Sequence, residues 1–246
     1  MKRRLSEAFY IGMLDILPLL RDPMILIMIS LISFMPVIFI GLMASGTAIA
    51  VQSLIGAVVL TLFFGGIQVA QSSYFNKHWF RFQDIYVASP VRPVSYAMGL
   101  SISTIIGALP ATLIAVAILV FIWPVSVLGI VMLVAVSLLL WASTVFLGFT
   151  LGSSLKDTRK ANSIPQVLGF VLGFMPPVYY PLSVLPVWLQ PIAMLSPTTH
   201  AAQLAKYYLG LIAIPEWQVI VGWTYLFGFL GLMVMLAKRW SKWVDP

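Results

Sequence analysis

Cysteine is absent from this chain, which excludes disulfides and thiolate metal sites. Histidine is nearly absent: His78 and His200 are the only two, and a metal centre would need carboxylates that the apolar runs do not supply. Charge is scarce too. Charged residues make up 9% and hydrophobic residues 61%, against about 25% and 45–50% in soluble domains, so the composition is that of a membrane protein. Hydrophilic blocks longer than about 25 residues are missing, which leaves no room for a separate soluble domain, and residues 1–246 read as one transmembrane domain. No Lys precedes Ser or Thr, so the phosphate-cradling pattern GxxxxGK[ST] cannot be written anywhere in the sequence.

What is present is a succession of apolar runs. Six of them, 24–44, 51–74, 97–121, 125–151, 162–180 and 218–237, are each long enough to cross a bilayer core with some tilt. None holds an Asp, Glu, Lys, Arg or His in its interior. Ion-coupled carriers usually keep such a group at mid-membrane, and charged-ring channels are built from them. Backbone carbonyls could still coordinate an ion, so a carbonyl-based carrier stays open as an alternative, as does a membrane assembly scaffold. Intramembrane hydrolysis lacks a nucleophile beside a base within any span, so no catalytic residue is expected.

The basic residues fix the topology. With the N-terminus inside, thirteen Lys and Arg fall in inner segments and Lys206 alone falls outside, which satisfies the positive-inside rule. The net charge of +7 is thus a topology signal, with no nucleic-acid partner expected. Lys2, Arg3 and Arg4 resemble the start of a secretory signal, but Glu7, Asp15, Arg21 and Asp22 interrupt the following run, so the chain is expected to begin at Met1. Residues 5–22 place Leu5, Phe9, Met13, Ile16 and Leu20 at helical spacing, which predicts an amphipathic helix in the membrane interface; a cytosolic helix is the alternative. Between spans five and six, Pro176 to Trp217 is apolar and Pro-rich. Two short helices dipping back from the outer side are expected, opened by Pro186 and Pro197. The second should present Ala201, Leu204, Ala205 and Tyr208 on one face.

Two groups of residues stand out as functional candidates. Gln52, Gln68, Gln71, Asn162 and Gln166 are uncharged polar residues within spans. They serve either interhelical hydrogen bonding or a translocation path. The inner loop after span two, Phe75 to Gly99, holds Phe80, Phe82, Ile85 and Tyr86 in water, ringed by Lys77, Arg81, Asp84 and Arg92. Such an apolar knob either docks in a partner's groove or rests on the inner leaflet. Gly65-Gly66 read as close helix packing. In the outer segment, Tyr179, Tyr180, Trp188, Tyr207, Tyr208 and Trp217 form an interfacial belt or a gate.

Three stretches resemble the type-2 permease family of ATP-binding cassette (ABC) transporters. Arg21-Asp22-Pro23 leads into a first span with Phe34-Met35-Pro36. Gln83-Asp84-Ile85-Tyr86-Val87-Ala88-Ser89-Pro90-Val91-Arg92-Pro93, then Tyr96 and Gly99, is similar to that family's inner-loop motif, with Asp84 where Glu is usual. The outer pattern Pro177, Pro181, Leu185-Pro186, Leu189 and Ser196-Pro197-Thr198 resembles the stretch before its last span. The resemblance implies an all-α permease in the cell membrane, both termini cytoplasmic, that exports a drug-like, lipid or glycan substrate. It implies an ATPase on a separate chain that binds the ATP and Mg, no cofactor in this chain, and a second permease copy with the path between the two. Phe80, Phe82, Asp84, Ile85, Tyr86, Ser89 and Pro90 would form a coupling helix docked in the ATPase. A basic residue is common in the family's last outer helix; Lys206 stands there without an assigned role.

Overall fold

The computed structural model describes residues 2–22, 24, 34–40, 46–80, 85 and 93–240. Among them no strand occurs, and the elements run as helices α1 (Lys2–Arg21), α2 (Thr47–His78), α3 (Pro93–Ile122), α4 (Val127–Ser154), α5 (Thr158–Gly169), α6 (Gln190–Ala193), α7 (Pro197–Tyr208) and α8 (Glu216–Trp240). A π-turn, Phe170–Phe174, continues α5, and a 3-10 turn, Leu182–Val184, precedes α6. Among the described residues four helices are long and apolar enough to span a membrane: α2, α3 from Ser95, α4 and α8.

Six spans were expected, so two need an account. The first, 24–44, lies largely outside the described residues; within it 34–40 are helical, and Phe34, Val37 and Ile40 touch the main core. The fifth is not among these four helices. Helix and π-turn together end at Phe174, short of the about 20 residues a span needs, and residues 175–180 bend without regular structure. The Pro176-Pro177 pair explains the stop: each proline removes a backbone donor and bars helical geometry before it.

Helix α2 is the axis of the fold. Buried Val51, Ile55, Val58, Phe63 and Ile67 anchor a core shared with α3, α4, α7 and α8. Small residues let α4 approach. Gly148 and Gly152 lie against Gly66 and Ala70, and a Cβ on Gly152 would overlap the Ala70 carbonyl oxygen. Dispersion between closely approaching backbones replaces the hydrophobic drive that lipid cannot supply. The expected close packing holds for Gly66, where a Cβ would collide with Thr144 Oγ1, while at Gly65 the nearest atom is a comfortable 3.6 Å away.

Helix α1 packs along the start of α3 through a face that shares only part of the stripe read in the sequence: Ile16 is buried and Met13 half-buried, while Phe9 and Leu20 are not. Buried are Ala8, Ile11, Gly12 and Ile16, whereas Phe9, Tyr10, Leu14 and Leu20 are exposed. Ala8 and Gly12 are small and one turn apart, so the backbones close up, with a Cβ on Gly12 only 2.7 Å from the Gly99 carbonyl. Phe9, Tyr10, Leu14 and Leu20 then face outward, as an interfacial helix requires.

The two ends of the bundle differ in chemistry. At the basic end, His78 Nε2 meets the Leu155 carbonyl at 3.2 Å, Lys77 Nζ donates to the Ser153 carbonyl at 3.5 Å, and Ser154 Oγ donates to the Trp240 carbonyl at 3.1 Å. The ends of α2, α4 and α8 therefore gather where the charge pattern put them together. At the aromatic end, Trp123 Nε1 donates to the Leu209 carbonyl at 3.0 Å and Trp223 Nε1 to Tyr208 Oη at 3.1 Å.

Candidate functional site

Three of the five span amides form one chain of contacts. Gln68 Nε2 donates to Gln71 Oε1 at 2.6 Å, and Gln71 Nε2 donates to Asn162 Oδ1 at 3.4 Å, tying α2 to α5. Gln68 is exposed and Gln71 half-buried. Gln166 is exposed one turn beyond Asn162 and stands outside this chain of amides. Gln52 stands apart, about 24 Å up α2 from Gln68 at 1.5 Å per residue. It is buried, and its Oε1 has no hydrogen-bond partner among the described residues. Structural bonding accounts for Gln71 and Asn162. Gln68 bonds Gln71 through its amide nitrogen, yet its side chain stays exposed in the last third of the helix.

Two cavities flank Gln68. One of about 510 Å³ lies between α1, α2, α3 and the π-turn, and the other, about 460 Å³, continues toward the basic end. Asp15, Gln68 and Ser72 line both. Asp15 Oδ2 accepts from Ser103 Oγ at 2.6 Å and Oδ1 from Asn76 Nδ2 at 3.4 Å. Sequence reading missed this residue because α1 was set apart from the spans. The packing of Ala8 and Gly12 onto α3 is what swings Asp15 to the bundle wall.

The knob after α2 is partly visible. Trp79, Phe80 and Ile85 are 65%, 60% and 64% exposed, apolar surface that gains from being covered. Phe82, Asp84, Tyr86, Ser89 and Pro90 lie outside the described residues. The base of the knob is held firmly. Besides the Lys77 and His78 bonds, Tyr74 Oη pairs with Thr158 Oγ1 at 3.0 Å, so α2 ends against the loop between α4 and α5. In that loop Asp157 caps α5, its carboxylate accepting from Arg159 N at 2.7 Å and Lys160 N at 3.2 Å.

The outer segment is built on α7, which begins at Pro197 as expected, with Ala201, Leu204 and Ala205 buried and Tyr208 half-buried. Pro186 opens only a turn; the short α6 starts at Gln190, with Pro191 in its first turn. Ser196 Oγ donates to the Leu172 carbonyl at 2.9 Å and Thr198 Oγ1 donates to the same oxygen. The residues four and five positions on, Pro176 and Pro177, have no N–H to give that carbonyl, and the hydroxyls at the start of α7 satisfy it. Lys206 is 2% exposed, its Nζ donating to the Tyr180 carbonyl at 2.9 Å and the Pro177 carbonyl at 3.4 Å. Burial pulls its ammonium down to about 8. His200 is also pushed down by burial, opposed by its bond to the Met194 carbonyl. Of the aromatics, Trp188 and Trp217 are exposed in the manner of a belt, whereas Tyr179 is buried, stacked on Phe174 at 6.3 Å.

A search of curated proteins returned no match to this chain. A family model described as ABC-2 type transporter matches residues 9–209, which takes in most of α1, the spans α2 to α4, both polar clusters and the whole of α7. The matched region thus contains the exposed knob, the amide chain and the proline-rich outer segment, and the chain belongs to the ABC-2 type transporter family.

Proposed function

We propose that this chain is the permease subunit of an ABC exporter, driven by an ATPase on a separate chain and paired with a second permease copy in the cell membrane. ATP and Mg belong to the ATPase in this reading, and the basic end faces the cytoplasm with both termini. The observation that carries it, beyond family membership, is the exposure of Trp79, Phe80 and Ile85 just past a clamped helix end. An apolar cluster at the water-facing end is stable only when covered, and helix-in-groove docking covers it.

The clamp gives the docking a mechanical consequence. A displacement received between Phe80 and Pro90 passes into α2, because Trp79 N still bonds the Phe75 carbonyl at 2.9 Å. It passes at once into α4 and α5 through Ser153, Leu155 and Thr158. These helices then move as a block, while α3 follows the loop from its other side. Rocking of such blocks alternately opens a path at one face and the other. Gln68, Gln71 and Asn162 lie on the α2–α5 wall of that path, and Gln52 farther out on the same helix.

Co-expression with candidate ATPases tests the reading. Vanadate-sensitive ATP hydrolysis should require this chain, and Asp84→Ala or Tyr86→Ala should weaken coupling without disturbing membrane insertion. Full transport with both positions altered would remove the docking role.

A further inference from the structure

The cavity beside Asp15 has a composition that selects a ligand. Its volume, about 510 Å³, falls within the roughly 300–1,000 Å³ of small-molecule sites. The rings of Phe64, Phe174 and Tyr179 line it, and Asp15, Ser103 and Gln68 supply polar groups. Among the described residues that line this cavity or its neighbour, Asp15 is the only charged side chain. Its two oxygens receive one neutral donor each, and among the described residues no cation stands within ion-pair reach. A carboxylate beside apolar wall, with its charge uncompensated, favours a cation that brings its own apolar body.

We propose that this cavity binds an amphipathic organic cation, with Asp15 as counter-ion and Phe64, Phe174 and Tyr179 against the apolar part. The neighbouring cavity, which shares Asp15, Gln68 and Ser72 and reaches Trp79 and Phe80, provides the approach from the basic end. Aromatic faces along that approach attract a cation as well. An anionic lipid headgroup would meet Asp15 as a like charge. As the cargo class of the exporter, the assignment rests on the function proposed above; as a binding site, it is tested apart from it.

The test uses the full chain in phosphatidylcholine nanodiscs, without ATPase or nucleotide. Equilibrium dialysis measures tetraphenylphosphonium, neutral triphenylphosphine oxide and anionic tetraphenylborate. The cation should bind saturably and most tightly, the anion least. Asp15→Asn, which keeps the acceptor for Ser103, should weaken the cation about 10- to 100-fold, the range for losing one charge pair at an effective dielectric of about 20, and leave the neutral compound unchanged. Unaltered cation binding by Asp15→Asn, or equal binding of the three probes by the unmodified chain, overturns the assignment. If the variant does not assemble, the ranking of the three probes on the unmodified chain decides. A complex that couples ATP hydrolysis yet binds all three alike defeats this assignment alone. Cation binding by a chain that couples to no ATPase supports the site and removes the export reading.

Discussion

Lys206 shows how a single side chain is governed by what surrounds it. In sequence it is the one basic residue on the outer side; in the fold it is buried under two carbonyls. Its pKa lies at about 8 in the folded chain against 10.5 when exposed. Below pH 8 both states are protonated, and the full cost of burying the charge is present. Between about 8 and 10.5 the unfolded chain binds more protons, so folding stability should rise with pH across that window and level off above it. Thermal unfolding of the unmodified chain should show this rise, and Lys206→Met should lack it. Gly66 is a second residue-scale case. Gly66→Ala drives a methyl group into Thr144 Oγ1 and should cost about 1–3 kcal/mol by overpacking. Adding Thr144→Ala should restore part of the lost melting temperature, since it removes the nearest clashing atom.

At the scale of elements, the outer segment hangs on one backbone carbonyl. Ser196 and Thr198 both bond Leu172 O, which ties α7 to the π-turn. Ser196→Ala with Thr198→Val leaves that acceptor unsatisfied at a cost of about 1–3 kcal/mol. Faster hydrogen exchange should appear in residues 170–174 and 182–196, with α2 and α4 unaffected. Helix α7 itself was legible: Pro197 marks its start, and helical spacing picks out its apolar face. The end of the fifth apolar run was legible in principle, since Pro176-Pro177 stands in plain view, yet hydropathy counts proline as no barrier. The α2–α4 contact also had a signal, the GxxxG of Gly148 and Gly152, which says that two backbones meet but not which partner Gly148 finds.

On the scale of the whole molecule, the bundle has a basic end and an aromatic end, and α3 and α8 leave most of their surface uncovered, with 22% and 17% of their spans buried. Lipid or a second copy must cover those faces. The lack of native cysteine makes the two-ended arrangement directly testable. Lys156→Cys and Arg239→Cys should react with a membrane-impermeant maleimide from the same side, and Trp188→Cys only from the opposite one. Labelling of all three from one side would contradict the topology.

Hydropathy and charge position determined the helical class, the membrane setting, the grouping of inner loops and the prolines that shape the outer segment, because each depends on local composition and on the cost of exposing or burying it. Tertiary structure alone decided that Gln68, Gln71 and Asn162 meet while Gln52 does not, that Lys206 is buried, and that Asp15 joins a cavity wall. Those outcomes depend on which faces of separate helices come together. Small residues tens of positions away, Ala8 and Gly12 against Gly99, and Gly66 against Thr144 and Gly148, set that choice by allowing close approach, and no local window of the sequence contains both partners.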